Sequence, residues 1–272
     1  MAFGVDTDVY LTDVDWDSFY NWKKKWPSWV GRYFGSGHNS KAGEFLYALT
    51  STSSVCKHVI PLQAYTSTEA LSKEQHGYDT GVAHANSTIA HIKTFLTSKE
   101  LAVNPAEDLV YVYLDVEGTH VLSKAYWAGW ADTIYHAEAS GLQPFRPCIY
   151  ARFVKDSSGR YVPGSNVSST LNTVHEAFTD AAARCYGFWS NEPEPDTGCK
   201  STFVADWTNV FGTFEQSYGT DSYTVPVYAW QYAESGPCSV LVAGYAGGNT
   251  LDMDGTDSTG GETYMLSIQE TS

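Results

Sequence analysis

Leu109-Val-Tyr-Val-Tyr-Leu-Asp115-Val-Glu117 is apolar on both faces until it meets two acids. A β-strand buried on both faces reads as such a continuous run, the pattern of a central strand in a parallel sheet. Parallel neighbours need helical crossovers, and the flanking sequence supplies them. Upstream, Val82, Ala85, Ile89, Ile92 and Leu96 recur at three- and four-residue steps. Downstream, Trp127, Trp130, Ile134 and Ala137 do the same before Gly141. Each set is one buried helical stripe.

Strand candidates extend outward at Phe3–Asp8, Trp29–Phe34, Val59–Tyr65 and Cys148–Arg152, with helices expected over Asp13–Trp26, Gly43–Ser51 and around Leu171–Ala181. After residue 184 the helical rhythm fades, and strands are expected at Phe203–Trp207, Val225–Tyr232 and Thr250–Met253. Five βα units followed by three strands close most simply as an α/β barrel of the irregular TIM type, (β/α)5(β)3. The 272 residues suit one such barrel, since no repeat or long linker marks a second domain; residues 1–272 are expected to form a single domain.

Barrel enzymes carry their sites at the C-terminal ends of the strands. Acids gather at those predicted ends: Asp6 and Asp8, Asp115 and Glu117, Asp206, Asp252 and Asp254. In Asp115-Val116-Glu117 the two carboxylates share one face with Cα atoms about 6.6 Å apart. Such proximity raises one pKa and leaves a protonated acid beside an ionised carboxylate. Glycoside hydrolysis needs that division of labour. Arg32 ends the second predicted strand, with a sugar acid or Asp6 or Asp8 as its alternative partners. Tyr65, Tyr150, Trp207, Trp230 and Tyr232 fall at or near strand ends, where aromatic faces stack on sugars. Tyr150 and Trp230 are the expected platforms, although Gln231 alternates to the face opposite Trp230.

Composition excludes other classes. A net charge of −15, from 16 basic and 31 acidic residues, argues against nucleic acid and anionic membrane as partners. Lys23-Lys24-Lys25 reads as a solvated helix face. No apolar stretch approaches the ~18 residues of a membrane span. A nucleophile elbow and a phosphate-binding P-loop are both missing. The five Cys lack metal spacing. Asp13-x-Asp15-x-Asp17 opens like a calcium loop but carries Ser18 and Lys24 where Gly and Glu are required. No metal and no cofactor are expected. Two glycosylation sequons, at Asn86 and Asn166, lean toward an exported, extracellular protein whose leader is not part of the sequence. Cys185 and Cys199 flank a Pro/Gly-containing loop and are candidates for a disulfide.

Phe3-Gly-Val-Asp6, Leu114-Asp-Val-Glu117, Ala205-Asp-Trp207, Ala229-Trp-Gln-Tyr232 and Leu251-Asp-Met-Asp254 resemble, in order, the strand-end motifs of family 25 glycoside hydrolases, the Chalaropsis-type lysozymes. Val30-Gly-Arg-Tyr-Phe34 and Gly77-Tyr-Asp-Thr-Gly81 look closer to the glycoside-hydrolase-like domain of unknown function 1906. The resemblance implies a (β/α)5(β)3 barrel that cleaves a β-1,4 bond beside an N-acetylated sugar, with bacterial peptidoglycan as the wall polymer. By the match Glu117 would be the general acid and Asp115 its orienting or stabilising partner. Asp6 and Asp252 would hold the remaining corners of the catalytic site, with Asp206 and Asp254 contacting substrate beside Arg32 and Tyr65. Asp254 departs from the usual Asn, and residues 153–166 and 186–200 look like insertions. The rival expectations are a catalytically silent glycan-binding barrel and a glycosidase of the same fold acting on another polysaccharide. A monomer is expected.

Overall fold

A computed structural model of the chain describes residues 2–7, 16–17, 20–21, 24, 26–35, 58–65, 74–97, 101–104, 110–116, 120–137, 144–173, 184–191, 210–218, 220–233, 252–256 and 266–270. The strands are β1 (Ala2–Thr7), β2 (Trp29–Tyr33), β3 (His58–Ala64), β4 (Leu101–Asn104), β5 (Val110–Val116), β6 (Phe145–Lys155), β7 (Tyr161–Pro163), β8 (Phe188–Asn191), β9 (Phe214–Tyr218), β10 (Asp221–Val225), β11 (Val227–Ala233), β12 (Asp252–Thr256) and β13 (Leu266–Glu270). Three helices stand among the described residues: α1 (Glu74–Leu96), α2 (Lys124–Tyr135) and α3 (Ser165–Thr173).

The fold is barrel-like and α/β. Strands β1, β2, β3, β5, β6, β8 and β11 pair in parallel, each with the next, to form one curled sheet. Strand β12 runs antiparallel to both β11 and β1 and joins the two edges. Outside this circuit, β13 pairs with β3 and β4, β7 folds back on β6, and β9 and β10 form a separate hairpin.

Strand alternation sorts the core into two layers. Val30, Val59, Val110, Val112, Leu114, Val116, Ile149, Ala151 and Phe188 face outward into the sheet–helix layer with Ile92, Tyr126, Trp127 and Trp130. Trp29, Ile60, Leu62, Tyr111, Tyr113, Cys148, Tyr150 and Trp189 pack inside the curl. Every residue of β5 is buried, as its doubly apolar run requires. Trp189 is the centre of the inner layer, edge-on to Trp29 (5.3 Å between centroids), Tyr113 (5.8 Å) and Tyr150 (5.2 Å). Edge-to-face contacts of this kind favour aromatic pairs beyond their area burial.

Helix α2 begins at Ser123, whose hydroxyl accepts from the Tyr126 amide at 3.3 Å and caps the first turn. It ends at the His136 cap, short of the expected stop at Gly141. Helices α1 and α2 touch backbone to backbone at Gly81 and Gly129. A Cβ on Gly81 would lie 2.3 Å from the Tyr126 carbonyl oxygen, and one on Gly129 would lie 2.3 Å from that of Tyr78.

Three expectations need correction or restriction. Strand β8, Phe188–Asn191, takes the place between β6 and β11 that was expected of Phe203–Trp207, so residues 186–200 hold a sheet strand and not only an insertion. Residues 203–207 lie outside the described residues, as do the Gly43–Ser51 helix and most of Asp13–Trp26. Cys185 is a free, buried thiol that donates to the Gly187 carbonyl at 3.3 Å, so it forms no disulfide with Cys199. Burial pushes its pKa up to about 12, which keeps it protonated and unreactive.

Candidate active site

The C-terminal ends of the parallel strands bring polar side chains onto the inner layer. Asp6, one residue past the outward-facing Val5, is buried at the end of β1. Asp6 and Trp189 crowd the position of Gly31: a Cβ there would meet Trp189 at 2.4 Å and the Asp6 Cβ at 2.8 Å. Gly31 is therefore the opening that lets Asp6 sit above the Trp189 floor. Asp115 is 6% exposed and accepts a 2.7 Å hydrogen bond at Oδ2 from the Tyr33 hydroxyl. The Tyr150 hydroxyl donates to Gln231 Oε1 at 2.7 Å and accepts from Asn191 Nδ2 at 2.8 Å. Two buried carboxylates and a relay of neutral donors thus crown an aromatic floor. Buried acids are costly unless hydrogen-bonded, and such clusters concentrate at functional sites.

Register adds the last strand. Asp252, the first residue of β12, is the partner of Asp6, and Asp254 is the partner of Gly4 and of Gln231. Glu117 and Asp206 lie outside the described residues. Val116, which directly precedes Glu117, ends β5 as the partner of Ala151.

Three residues expected at the mouth sit elsewhere. Arg32 is buried on the outer phase of β2 with Val30, while Tyr33 takes the inner phase. Trp230 belongs to the outer layer and meets Phe211 edge-on at 5.7 Å, and Gln231 takes the inner place. One residue of strand phase decides both cases. Tyr65 follows the end of β3 and bridges to α2. Its hydroxyl donates to the Val121 carbonyl at 3.1 Å and accepts from the Ser123 amide at 3.0 Å, and its ring stands edge-on to Tyr126. Burial raises its pKa. Tyr65 thus ties the sheet to α2, while Arg32 and Trp230 are buried on the outer phase of their strands. Tyr150 is the expected aromatic that does face inward.

Four inner-phase residues were not among the expected site residues: Tyr33, Asn191, Gln231 and Arg152. Arg152 shares the phase of Cys148 and Tyr150, pairs in register with Asn191, and is exposed at the rim. Its guanidinium makes no hydrogen bond or ion pair among the described residues. The alternation of β2 with Gly31 as an inner residue is the signal that marks Tyr33.

The Tyr33–Asp115 bond has a testable weight. Hydrogen bonds to charged groups contribute about 1.5–3 kcal/mol, so Tyr33→Phe is expected to lower kcat about tenfold on a cleaved substrate. Unfolding in urea should change by less than about 3 kcal/mol, because only one hydroxyl is lost. An unchanged kcat would show that Asp115 does not depend on this donor.

Seven parallel strands, curled with their acids at one end, define a barrel-like α/β protein with a carboxylate-lined mouth. No family model and no curated protein matches the chain. Among solved structures it is similar to a 1.07 Å crystal structure of an uncharacterized B. stearothermophilus protein, at 16% identity over 97% of this chain and 100% of that one, with a TM-score of 0.58. That likeness supports the fold. No helix among the described residues is long and apolar enough to cross a membrane.

Proposed function

We propose that the protein is a glycoside hydrolase acting on an N-acetylhexosamine-containing polymer, with peptidoglycan as the leading substrate. The observation that carries this reading is the buried Asp115, held by Tyr33 at the mouth and two residues before Glu117. In the proposed mechanism Glu117 protonates the leaving glycosidic oxygen. Asp115 stabilises the positive charge that develops at the anomeric carbon, directly or by orienting the substrate's 2-acetamido group. Asp6 and Asp252, paired across β1 and β12, hold the opposite side of the site. Tyr150 is buried beneath the site, and its hydroxyl, held between Asn191 and Gln231, fixes the floor on which the sugar would rest. In the finer architecture of this reading the chain is a (β/α)5(β)3 barrel, exported to act on the cell wall.

The proposed binding role for a cation passes from Arg32 to Arg152. An unpaired guanidinium at the rim of an acidic mouth suits a carboxylate on the substrate, such as that of a muramic-type sugar or its peptide. Arg152→Gln is expected to raise KM for a carboxylate-bearing wall polymer by about tenfold, the scale of one charged hydrogen bond. Cleavage of a neutral N-acetylglucosamine polymer should stay unchanged. Equal losses on both polymers would remove Arg152 from substrate recognition.

The experiment that tests the function is release of reducing ends from a panel of polysaccharides. Cleavage confined to N-acetylated polymers supports the proposal. Cleavage of other polymers alone favours a glycosidase of different specificity on the same scaffold. Binding without cleavage favours a silent glycan-binding barrel.

A further inference from the structure

Two arginines lie over one tyrosine ring at the other end of the sheet. Arg146 is the second residue of β6, and Arg184 precedes β8 by four residues. Both guanidinium groups stand over the Tyr186 ring, at 5.4 and 5.2 Å from its centroid. Arg146 also covers Tyr135 at 4.5 Å, and Arg184 covers Tyr223 at 3.5 Å. The Tyr135 and Tyr186 rings stack on each other at 5.9 Å. All five side chains are half-buried and reach solvent. Because these residues open β6 or precede β8 and β11, the cluster lies at the strand N-terminal end, away from Asp115.

Acids outnumber bases 31 to 16 in this chain, yet neither guanidinium has a carboxylate partner among the described residues. Arg146 donates to the adjacent Phe145 carbonyl at 2.8 Å. The Nε of Arg184 is buried with no acceptor among the described residues. Of the carboxylates on these elements, Asp132 pairs with His136 at 3.2 Å, and Asp221 accepts at 3.5 Å from the hydroxyl of Tyr223, the ring under Arg184, without reaching either guanidinium. Aromatic stacking accounts for where the two cations lie. It supplies no acceptor for the Arg184 Nε–H and no counter-charge for the pair, and a buried donor left unmatched calls for an explanation.

We propose that Arg146, Arg184 and Tyr186 form a binding site for a phosphate group, free or on a small phosphate ester. Two forks of N–H donors beside one ring suit a dianion with oxygens in several directions, whereas a carboxylate fills one fork. The Tyr186 ring is the platform between the two guanidinium groups, and its hydroxyl is hydrogen-bonded to Tyr135. Burial, and next the neighbouring Tyr135, push its pKa up to about 12 against the lowering effect of the two arginines, so it keeps its proton. The site is independent of glycan cleavage at the opposite end.

The test is titration of the full-length protein with inorganic phosphate and, separately, phenyl phosphate at constant ionic strength, followed by calorimetry and by the arginine Nε–H resonances. Saturable binding that shifts the Arg184 Nε–H signal is expected. Arg146→Gln and Arg184→Gln should each weaken it by about tenfold or more. Tighter binding of phenyl phosphate assigns the site to an ester, and tighter binding of phosphate assigns it to the free ion. The wild-type resonance shift needs no variant to fold. Absence of saturable binding by either probe, an unmoved Arg184 signal, or acetate binding as tightly as phosphate would overturn the site. Undiminished affinity in both folded variants would do the same. Failure here leaves the glycosidase proposal standing, since reducing-end release reads that proposal separately.

Discussion

Glu117→Gln is expected to lower the release of reducing ends from an N-acetylated polymer by a factor of about 10²–10⁴, the usual contribution of a general acid. The amide keeps the shape of the side chain and its capacity to accept a hydrogen bond, but it has no proton to give the leaving oxygen. Polymer binding should therefore survive, and the loss should appear in kcat with KM little changed. Asp115→Asn is expected to lose activity too, by removing the charge that opposes the developing oxocarbenium ion. It would also change the partner of the Tyr33 hydroxyl, now 2.7 Å from Oδ2. A substrate with an excellent leaving group, which needs no protonation, separates the two variants: Glu117→Gln should recover much of its bond-breaking rate and Asp115→Asn should not. Product released by Glu117→Gln at the wild-type rate would remove Glu117 from the chemistry.

Gly129→Ala should destabilise the protein by about 3 kcal/mol or more, at the upper end of overpacking effects. In an exposed helix the same change stabilises by about 1 kcal/mol, because alanine is the better helix former. The reversal of sign follows from the crossing of α1 and α2. The added methyl would stand 2.3 Å from the Tyr78 carbonyl oxygen, and backbone, unlike a flexible side chain, cannot swing away. The two helices would have to part, opening the layer of Ala85, Ile92, Trp127 and Trp130. Relief would also strain the buried bridge in which Gln63 Oε1 accepts from Trp130 Nε1 at 2.7 Å and Gln63 Nε2 donates to the Tyr126 hydroxyl at 3.1 Å. Urea unfolding measures this directly. A stabilised Gly129→Ala variant would contradict the close crossing.

The parallel α/β character was legible because β5 is apolar on both faces and helical stripes flank it. The same property hides which residues face inward. In a sheet covered on both sides, hydrophobic pattern cannot set the phase of a strand. Arg32 and Tyr33 differ by one position, as do Trp230 and Gln231, and in each pair the structure turns the second residue to the inner layer. Strand β8 escaped notice because four residues, Phe188–Asn191, are too few to show a period. Its Trp189 nevertheless supplies the centre of the floor. Asp6 and Asp115 were legible as acids that interrupt apolar strands. Tyr33 was not, since an aromatic beside a strand end reads equally as core. The arginine cluster escaped because its members come from separate segments, joined only by the folding of α2, β6 and β8 around Tyr186.

The most direct test of the glycosidase account is digestion of peptidoglycan in water enriched in heavy oxygen, with mass spectrometry of the released fragments. Hydrolysis by the wild-type protein should place one heavy oxygen on each new reducing end, and Glu117→Gln should release almost none under the same conditions. Intact polymer after exposure to folded, polymer-binding wild-type protein, or fragments free of the label, would contradict the account.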